Sequence, residues 1–318
     1  MRRWLLALGY RVGWAAVRRL PAGAARAAFR LGADLAWRHN GPGARRLAAN
    51  LRRVVGPSVD DARLRLLVRD GLRSYARYWL EVFRLPVTSA QRVVGGARVS
   101  GEQTLRDALA EGRGVVVALP HTGNWDHAGA WAVHVGMPLT TVAERLEPAE
   151  LFDAFVAYRE GLGLEVLPLT GGPRPAFEVL AERLRAGRLV CLLADRDLSH
   201  RGVEVSFFAG RTRMPSGPAL LALRTGAALV PATLWYAGAD WGIAIHAPIP
   251  VPSAGRLAHR VAAMTQAVAD VFAEAIAAHP QDWHMLQPVW LDELGERSTQ
   301  PARTHAPAQA PAPAQPAS

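Results

Sequence analysis

From residue 97 onward the chain alternates short apolar runs with amphipathic stretches, and this alternation restricts the possible folds more than any other feature. "GVVVALP" (114–120), "PLTTVAE" (138–144), "LEVLPL" (164–169), "RLVCLLAD" (188–195), "ALVPATLWY" (228–236) and "GIAIHAPIPV" (242–251) read as strands. "WDHAGAWAVHVG" (125–136), "PAELFDAFVAYREGLG" (148–163), "PAFEVLAERLRAG" (175–187), "PSGPALLALRTGA" (215–227) and residues 255–278 read as helices. Repeated strand–helix alternation predicts an α/β fold, with a mixed central sheet and helices on both faces. Half of the 318 residues are apolar, enough to bury a substantial core.

Upstream of the alternation the chain reads as helical. Arg26, Arg30, Asp34 and Arg38 fall at i, i+4 spacing on one stripe, with Ala25, Ala28, Phe29, Leu35 and Ala36 around the opposite side. "NGPG" (40–43) interrupts this pattern, and Leu47, Leu51 and Val54 then mark a further short amphipathic helix. Residues 60–85 continue as a longer helix closed by Pro86, and its Tyr75, Tyr78, Trp79 and Phe83 read as core.

The net charge of +10 is concentrated at this end. Residues 1–55 carry twelve Arg against Asp34 alone, so the remaining 263 residues sum to −1. Such a concentration attracts polyanions. No nucleic-acid-binding module accompanies it, whereas Trp4, Tyr10, Trp14, Phe29 and Trp37 interleaved with Arg suit an anionic membrane surface. Arg interrupts the apolar runs before they reach the roughly 20 residues of a membrane span. The opening "MRRWLLALGYR" lacks the apolar length and the cleavage site of a signal peptide. The expected organisation is a basic amphipathic region over 1–56, the α/β domain over 57–298, and a Pro/Ala-rich disordered tail over 299–318. The first region reads either as a helical subdomain packed on the core or as membrane-surface helices on the inner face of the membrane, and both can hold.

The strand "GVVVALP" runs into His121, and Asp126 follows five positions later in "HTGNWD". Five residues turn an α-helix through about 500°, and on a strand positions i and i+5 face opposite sides. The two side chains therefore converge only where the chain turns. "TGN" supplies the turn: Gly123 relaxes the backbone, and Asn124 can cap the helix that follows. His121 then ends a strand at the edge where open α/β sheets build their sites, and a histidine there can act as a general base near neutral pH. From spacing alone, a histidine that merely caps the strand and bonds a nearby carboxylate is the simpler reading. His127 and His134 are seven residues apart and no HxxxH or HxxH pair occurs, so zinc finds little support. The one cysteine, Cys191, excludes an internal disulfide framework and reads as core packing.

"HTGNWD" resembles the HxxxxD box of glycerolipid acyltransferases. The longer "GVVVALPHTGNWDHAGAW" is similar to the family of lipid A late acyltransferases and actinobacterial phosphatidylinositol mannoside acyltransferases. "FVAYREGLGLEVLPLTGG" (155–172), "LVCLLADRDLSHRGVEVSFFAGRTRMPSGPALLALRTGA" (189–227) and "HPQDWHMLQPVW" (279–290) resemble the mannoside branch, and the likeness runs to about residue 298. The resemblance implies His121 as general base and Asp126 as the acidic member of the box, where the lipid A branch commonly carries Glu. It implies Asp195 as the carboxylate that orients the histidine, and Glu144 and Arg159 as residues of the acceptor pocket, with Arg196 and Glu204 as further candidates. The implied reaction moves an acyl group, palmitoyl, from acyl-CoA to the 6-hydroxyl of mannose in a phosphatidylinositol mannoside. No cofactor or metal is expected beyond that donor substrate, and no nucleic acid as partner.

Such chemistry needs a base for the hydroxyl proton, and His121 can take it when oriented by Asp195 or by Asp126. No GxSxG elbow is present, and no enzyme nucleophile is required. Backbone N–H groups at the turn before the 124 helix or at "RMPSGP" are candidate oxyanion donors. Rival readings are a lipid A-type acyltransferase, a non-catalytic lipid-binding protein on the same fold, and a thioesterase in which water replaces the sugar.

Overall fold

The protein is described here from a computed structural model covering residues 13–14, 16–145, 149–197, 199 and 201–295. Trp4, Tyr10, "MRRWLLALGYR" and the 299–318 tail, all singled out above, lie outside the described residues.

Among the described residues there are nine strands, most of them separated by helices. They are β1 (Ala97–Ser100), β2 (Val115–Leu119), β3 (Leu139–Ala143), β4 (Glu165–Pro168), β5 (Leu189–Leu193), β6 (Val203–Phe207), β7 (Gly210–Met214), β8 (Ala228–Ala237) and β9 (Asp240–Ile245). Seven of them form one sheet in the order β1-β9-β8-β2-β5-β3-β4, and β6 and β7 form a separate antiparallel pair. Every neighbouring pair in the large sheet is parallel except β8 with β9. The sheet is therefore mixed, as expected. The crossovers are α5 (Glu102–Ala110), α6 (Trp125–His134), α7 (Ala149–Glu160), α8 (Ala176–Arg185) and α9 (Gly217–Thr225), and α10 (Leu257–Ala278) follows β9.

Strand β2 shows why helices cover both faces. All five of its residues are buried, as an interior parallel strand requires. Val116 and Ala118 enter one core with residues of α8, α9 and α10, while Val115, Val117 and Leu119 enter a second with residues of α5, α6 and α7. The period-two alternation of the strand divides the apolar run between the two cores.

Helix α10 corrects one expectation. Its length and mean hydropathy of 1.4 are enough for a membrane span, despite Arg260 within it. However, Val261, Met264, Val268, Phe272 and Ile276 recur at helical spacing and are buried in the core, which is the pattern of a core helix. Strands β1, β6 and β7 and helix α5 were not read from the sequence, and the strand in "GIAIHAPIPV" ends at Ile245, although the His246 and Ile249 N–H groups still donate to the Pro231 and Leu229 carbonyls of β8. Pro248, Pro250 and Pro252 beyond it have no N–H to donate to a ladder.

Ahead of the sheet lie α1 (Ala22–His39), α2 (Pro42–Val55), α3 (Asp61–Arg84) and α4 (Ala90–Gly95). Leu47 and Leu51 of α2 pack with Ala33 of α1 and with Val68 and Leu72 of α3 in a small core of their own. The expected apolar side of α1 packs only in part, through Ala25 and through Phe29, whose ring meets Phe83. Ala25 and Ala33 are buried, whereas Leu35 is 54% and Leu31 59% exposed. The cause is Asp34, whose carboxylate accepts bonds from both Arg69 and Arg73 of α3 and fixes the roll of the helix. Trp14 is likewise buried, against Phe83, Phe155 and Tyr158.

Candidate active site

Because β2 and β5 are parallel neighbours in register Leu119↔Leu193, their C-terminal ends emerge side by side. His121 follows one and Asp195 the other, 74 residues apart in sequence. The His121 Nδ1–H donates to Asp195 Oδ1 at 2.6 Å, and the His121 backbone N–H donates to Oδ2 at 2.9 Å. Trp283 Nε1–H donates to the same Oδ2 at 3.0 Å. Asp195 is fully buried, and its burial alone would favour the protonated acid. The charge of His121, its two bonds and the Trp283 donor outweigh that effect and hold the carboxyl below its usual range. His121 keeps 26% of its side chain exposed, so the imidazole is fixed on one side and accessible on the other.

The turn after His121 is clasped by the C-terminal segment. His284 N–H donates to the His121 carbonyl at 2.8 Å, and Gly123 N–H donates to the Asp282 carbonyl at 2.9 Å. Gly123 sits at φ +54, and a Cβ there would lie 2.9 Å from the Trp235 nitrogen, so both backbone conformation and space call for glycine. Behind the clasp, Ser74 of α3 donates to Asp282 Oδ1 at 2.7 Å and meets His284 Nε2 at 2.9 Å. Burial and the neighbouring His121 push His284 down to about 3, so it stays neutral. Asn124 caps α6 by accepting from the His127 N–H, as the sequence suggested.

Asp126 faces elsewhere. It is 2% exposed and accepts from Tyr78 Oη at 2.9 Å and from Arg159 Nε at 2.7 Å. Its bonds among the described residues go to these two groups and not to His121. Burial opposes the charge on Arg159, but Asp126 outweighs it and raises the guanidinium. The structure thus separates the two members of the box, giving His121 to Asp195 and Asp126 to Arg159.

The other candidates divide as well. Glu144, just past β3, and Arg196 share a cavity of about 310 Å³ with Asp197, Arg213 and Gln287. Arg159 does not line it. Glu204 of β6 is paired with Arg211 of β7 at 3.1 Å. Sequence reasoning did not single out Trp283, His284, Asp282, Ser74 or a role for Tyr78 beyond packing. The only available signal was that 282–284 fall within the run "HPQDWHMLQPVW".

Beneath α6, an apolar cavity of about 80 Å³ runs between the helix and the sheet. Trp125, Asp126 and Arg159 line it with Leu119, Leu193 and Cys191, and residues as deep as Leu105 and Ile245 complete the lining. Cys191 is a free thiol that burial pushes up to about 12. The cavity is narrower than the roughly 300–1,000 Å³ of ordinary ligand sites, so a long chain entering it must displace side chains.

Comparison with known proteins identifies the family. The family model described as bacterial lipid A biosynthesis acyltransferase matches residues 1–292. The chain is 52% identical over 297 residues to the phosphatidylinositol mannoside acyltransferase of Mycobacterium tuberculosis (strain H37Rv), covering 90% of this chain and 89% of the relative. It is 51% identical over 289 residues to the protein of the same description from Mycolicibacterium smegmatis, covering 91% and 92%.

Proposed function

The chain belongs to the bacterial lipid A biosynthesis acyltransferase family and is an acyltransferase of the phosphatidylinositol mannoside type, and from that premise we propose that it moves a palmitoyl group from acyl-CoA to the mannose 6-hydroxyl of a phosphatidylinositol mannoside, with His121 as general base. The observation that carries the reading is the 2.6 Å bond between His121 Nδ1 and the fully buried Asp195. It holds the proton on Nδ1 and leaves Nε2 to accept the hydroxyl proton.

The mannose oxygen attacks the thioester carbonyl as His121 Nε2 takes its proton. The tetrahedral intermediate collapses, the C–S bond breaks, and the CoA sulfur leaves with the proton carried by the imidazolium. Asp195 stays ionised throughout and stabilises that imidazolium. The N–H groups of His121 and Gly123 are committed to Asp195 and to the Asp282 carbonyl, so the oxyanion is assigned to donors beyond them at the start of α6 or to "RMPSGP".

The apolar cavity under α6 is assigned to the acyl chain. The cavity holding Glu144, Arg196 and Arg213 supplies charged groups for polar parts of the substrates. The exposed Leu31 and Leu35 of α1, with the Arg excess of the first 55 residues, support a peripheral position on the cytoplasmic face of the membrane.

The test is product analysis. Purified protein incubated with palmitoyl-CoA and a phosphatidylinositol dimannoside should yield one added palmitoyl group, and tandem mass spectrometry should place it on a mannose. Free palmitate as the sole product would make the protein a thioesterase instead. An unchanged donor, with lipid still bound, would favour the non-catalytic reading.

A further inference from the structure

A second cavity adjoins the far side of the box, lined there by Asn124 and His127. It occupies about 840 Å³ between α1, α3, α4 and the β8–β9 turn, well within the size range of ligand sites. Neither His121 nor Asp195 lines it. On α3, Arg73, Arg77, Leu80, Glu81 and Arg84 turn toward this cavity, while Ser74 and Tyr78 on the adjoining face reach the His284 and Asp126 groups. The helix therefore forms a wall between two sites.

The lining is strongly cationic. Six guanidinium groups face the space, Arg26 and Arg30 from α1, Arg73, Arg77 and Arg84 from α3, and Arg92 from α4, against the single carboxylate of Glu81. Their partners sort them. Arg73 is held by Asp34, Arg77 by Glu81 and Arg92 by Asp240. Arg84 donates to the carbonyls of Val17 and Leu20, which carry no charge. Arg26 and Arg30 pair with no carboxylate among the described residues. Three positive charges are thus left unbalanced around one concavity, and like charges gathered this way repel unless an anion joins them.

The floor adds a flat surface. His127 is fully buried, stacked on Trp241 with ring centroids 3.8 Å apart and 15° between planes. The paired arginines are fixed in place, Arg77 over the Tyr236 ring and Arg92 over Trp241, so the wall is built before any ligand arrives.

We propose that this cavity is an anion site that takes a phosphate monoester or diester, held chiefly by Arg26, Arg30 and Arg84. Guanidinium forks match phosphate oxygens in pairs. The phosphate can come from the headgroup of an anionic phospholipid or from a soluble ligand. Leu31 and Leu35 are exposed on the same helix as Arg26 and Arg30, so a lipid headgroup in the cavity would leave its chains beside an apolar stripe. The assignment does not depend on which hydroxyl is acylated at His121.

The experiment uses the full chain and two double variants of equal charge change. Arg26→Gln with Arg30→Gln removes charge from the cavity, and Arg38→Gln with Arg63→Gln removes it from equally exposed positions that do not line it. The soluble probes are inorganic pyrophosphate and ADP, followed by calorimetry at fixed ionic strength. The lipid probes are phosphatidylcholine vesicles with and without phosphatidylinositol, followed by sedimentation. At least one probe should bind the wild type, and the cavity variant should bind it about tenfold more weakly or worse, the factor for losing one charge-assisted bond. The outside variant should change far less. Loss confined to phosphatidylinositol vesicles identifies a headgroup, and loss for pyrophosphate or ADP identifies a soluble phosphate. Should the cavity variant prove poorly folded, the single variants Arg26→Gln and Arg30→Gln answer in its place, each compared with Arg38→Gln. The proposal is overturned if no probe binds the wild type, or if the two double variants bind every probe equally.

Discussion

His121 and Asp126 belong to one six-residue box, yet the fold places them in opposite circumstances. His121 is one-quarter exposed and tied to a carboxylate from the neighbouring strand. Asp126 is 2% exposed and tied to a guanidinium and a phenol from two helices. The first is a group held still with one side left open. The second is a charge removed from water, satisfied by partners and used to join α6 to α3 and α7. Two residues that form one motif in sequence need not form one dyad in space. In a parallel sheet the partner of a strand-end residue comes from the adjacent strand end, however distant in sequence.

That contrast can be broken or sharpened by experiment. The largest effect on stability is expected at Asp126→Asn. Arg159 would keep its charge in a buried position without a counter-charge, and breaking such a pair costs about 3–5 kcal/mol. Denaturant unfolding would measure it. A loss below about 1 kcal/mol would show that Asp126 does not hold α6 to α3 and α7.

A smaller effect, on turnover rather than folding, is expected at Asp195→Asn. The amide can keep a hydrogen bond to the imidazole but lacks the charge that supports imidazolium, so transfer should fall by less than the roughly 10²–10⁴-fold of losing the base itself. The rate should also shift in its dependence on pH, which a merely structural role would not produce. If Asp126→Asn shifted that profile and Asp195→Asn did not, the assignment of partners would be reversed.

The smallest effect per unit of pH is expected at the buried His127. Burial pushes His127 down to about 3, while an unfolded histidine titrates near 6.5. Between those values unfolding takes up a proton, so this contribution is complete above about pH 6.5 and is lost as pH falls toward 3, by about 1.4 kcal/mol per unit. His127→Gln should remove one proton's worth of that slope from stability measured against pH. An unchanged slope would mean His127 is not held neutral by burial.

Much of this was legible in the sequence. The strands around His121 and Asp195 are apolar runs bounded by turn residues, and the crossover helices keep a clear period, so the α/β sheet and the placing of both residues at strand ends could be read directly. The choice between Asp126 and Asp195 could not. It depends on which strands are neighbours and on the roll of α6, neither of which is written in local periodicity. The short strands of β1 and of the polar hairpin "VEVSF"/"GRTRM" escaped because no apolar run marks them. Trp283 and His284 escaped because they sit in an irregular segment that acts through a side-chain bond from Trp283 to Asp195 and a backbone bond from His284 to His121, both distant in sequence. The roll of α1 escaped because one acid, Asp34, meeting two arginines outweighs the side on which leucine falls.

The most direct test sets His121→Ala beside Asp126→Asn in one assay, with palmitoyl transfer to phosphatidylinositol dimannoside expressed per folded molecule. The account predicts that His121→Ala folds nearly as well as the wild type and loses about 10²–10⁴-fold in transfer. It predicts that Asp126→Asn loses stability and retains far more transfer in the fraction that folds. Near wild-type transfer by His121→Ala would contradict the account and leave His121 as a strand cap bonded to a carboxylate.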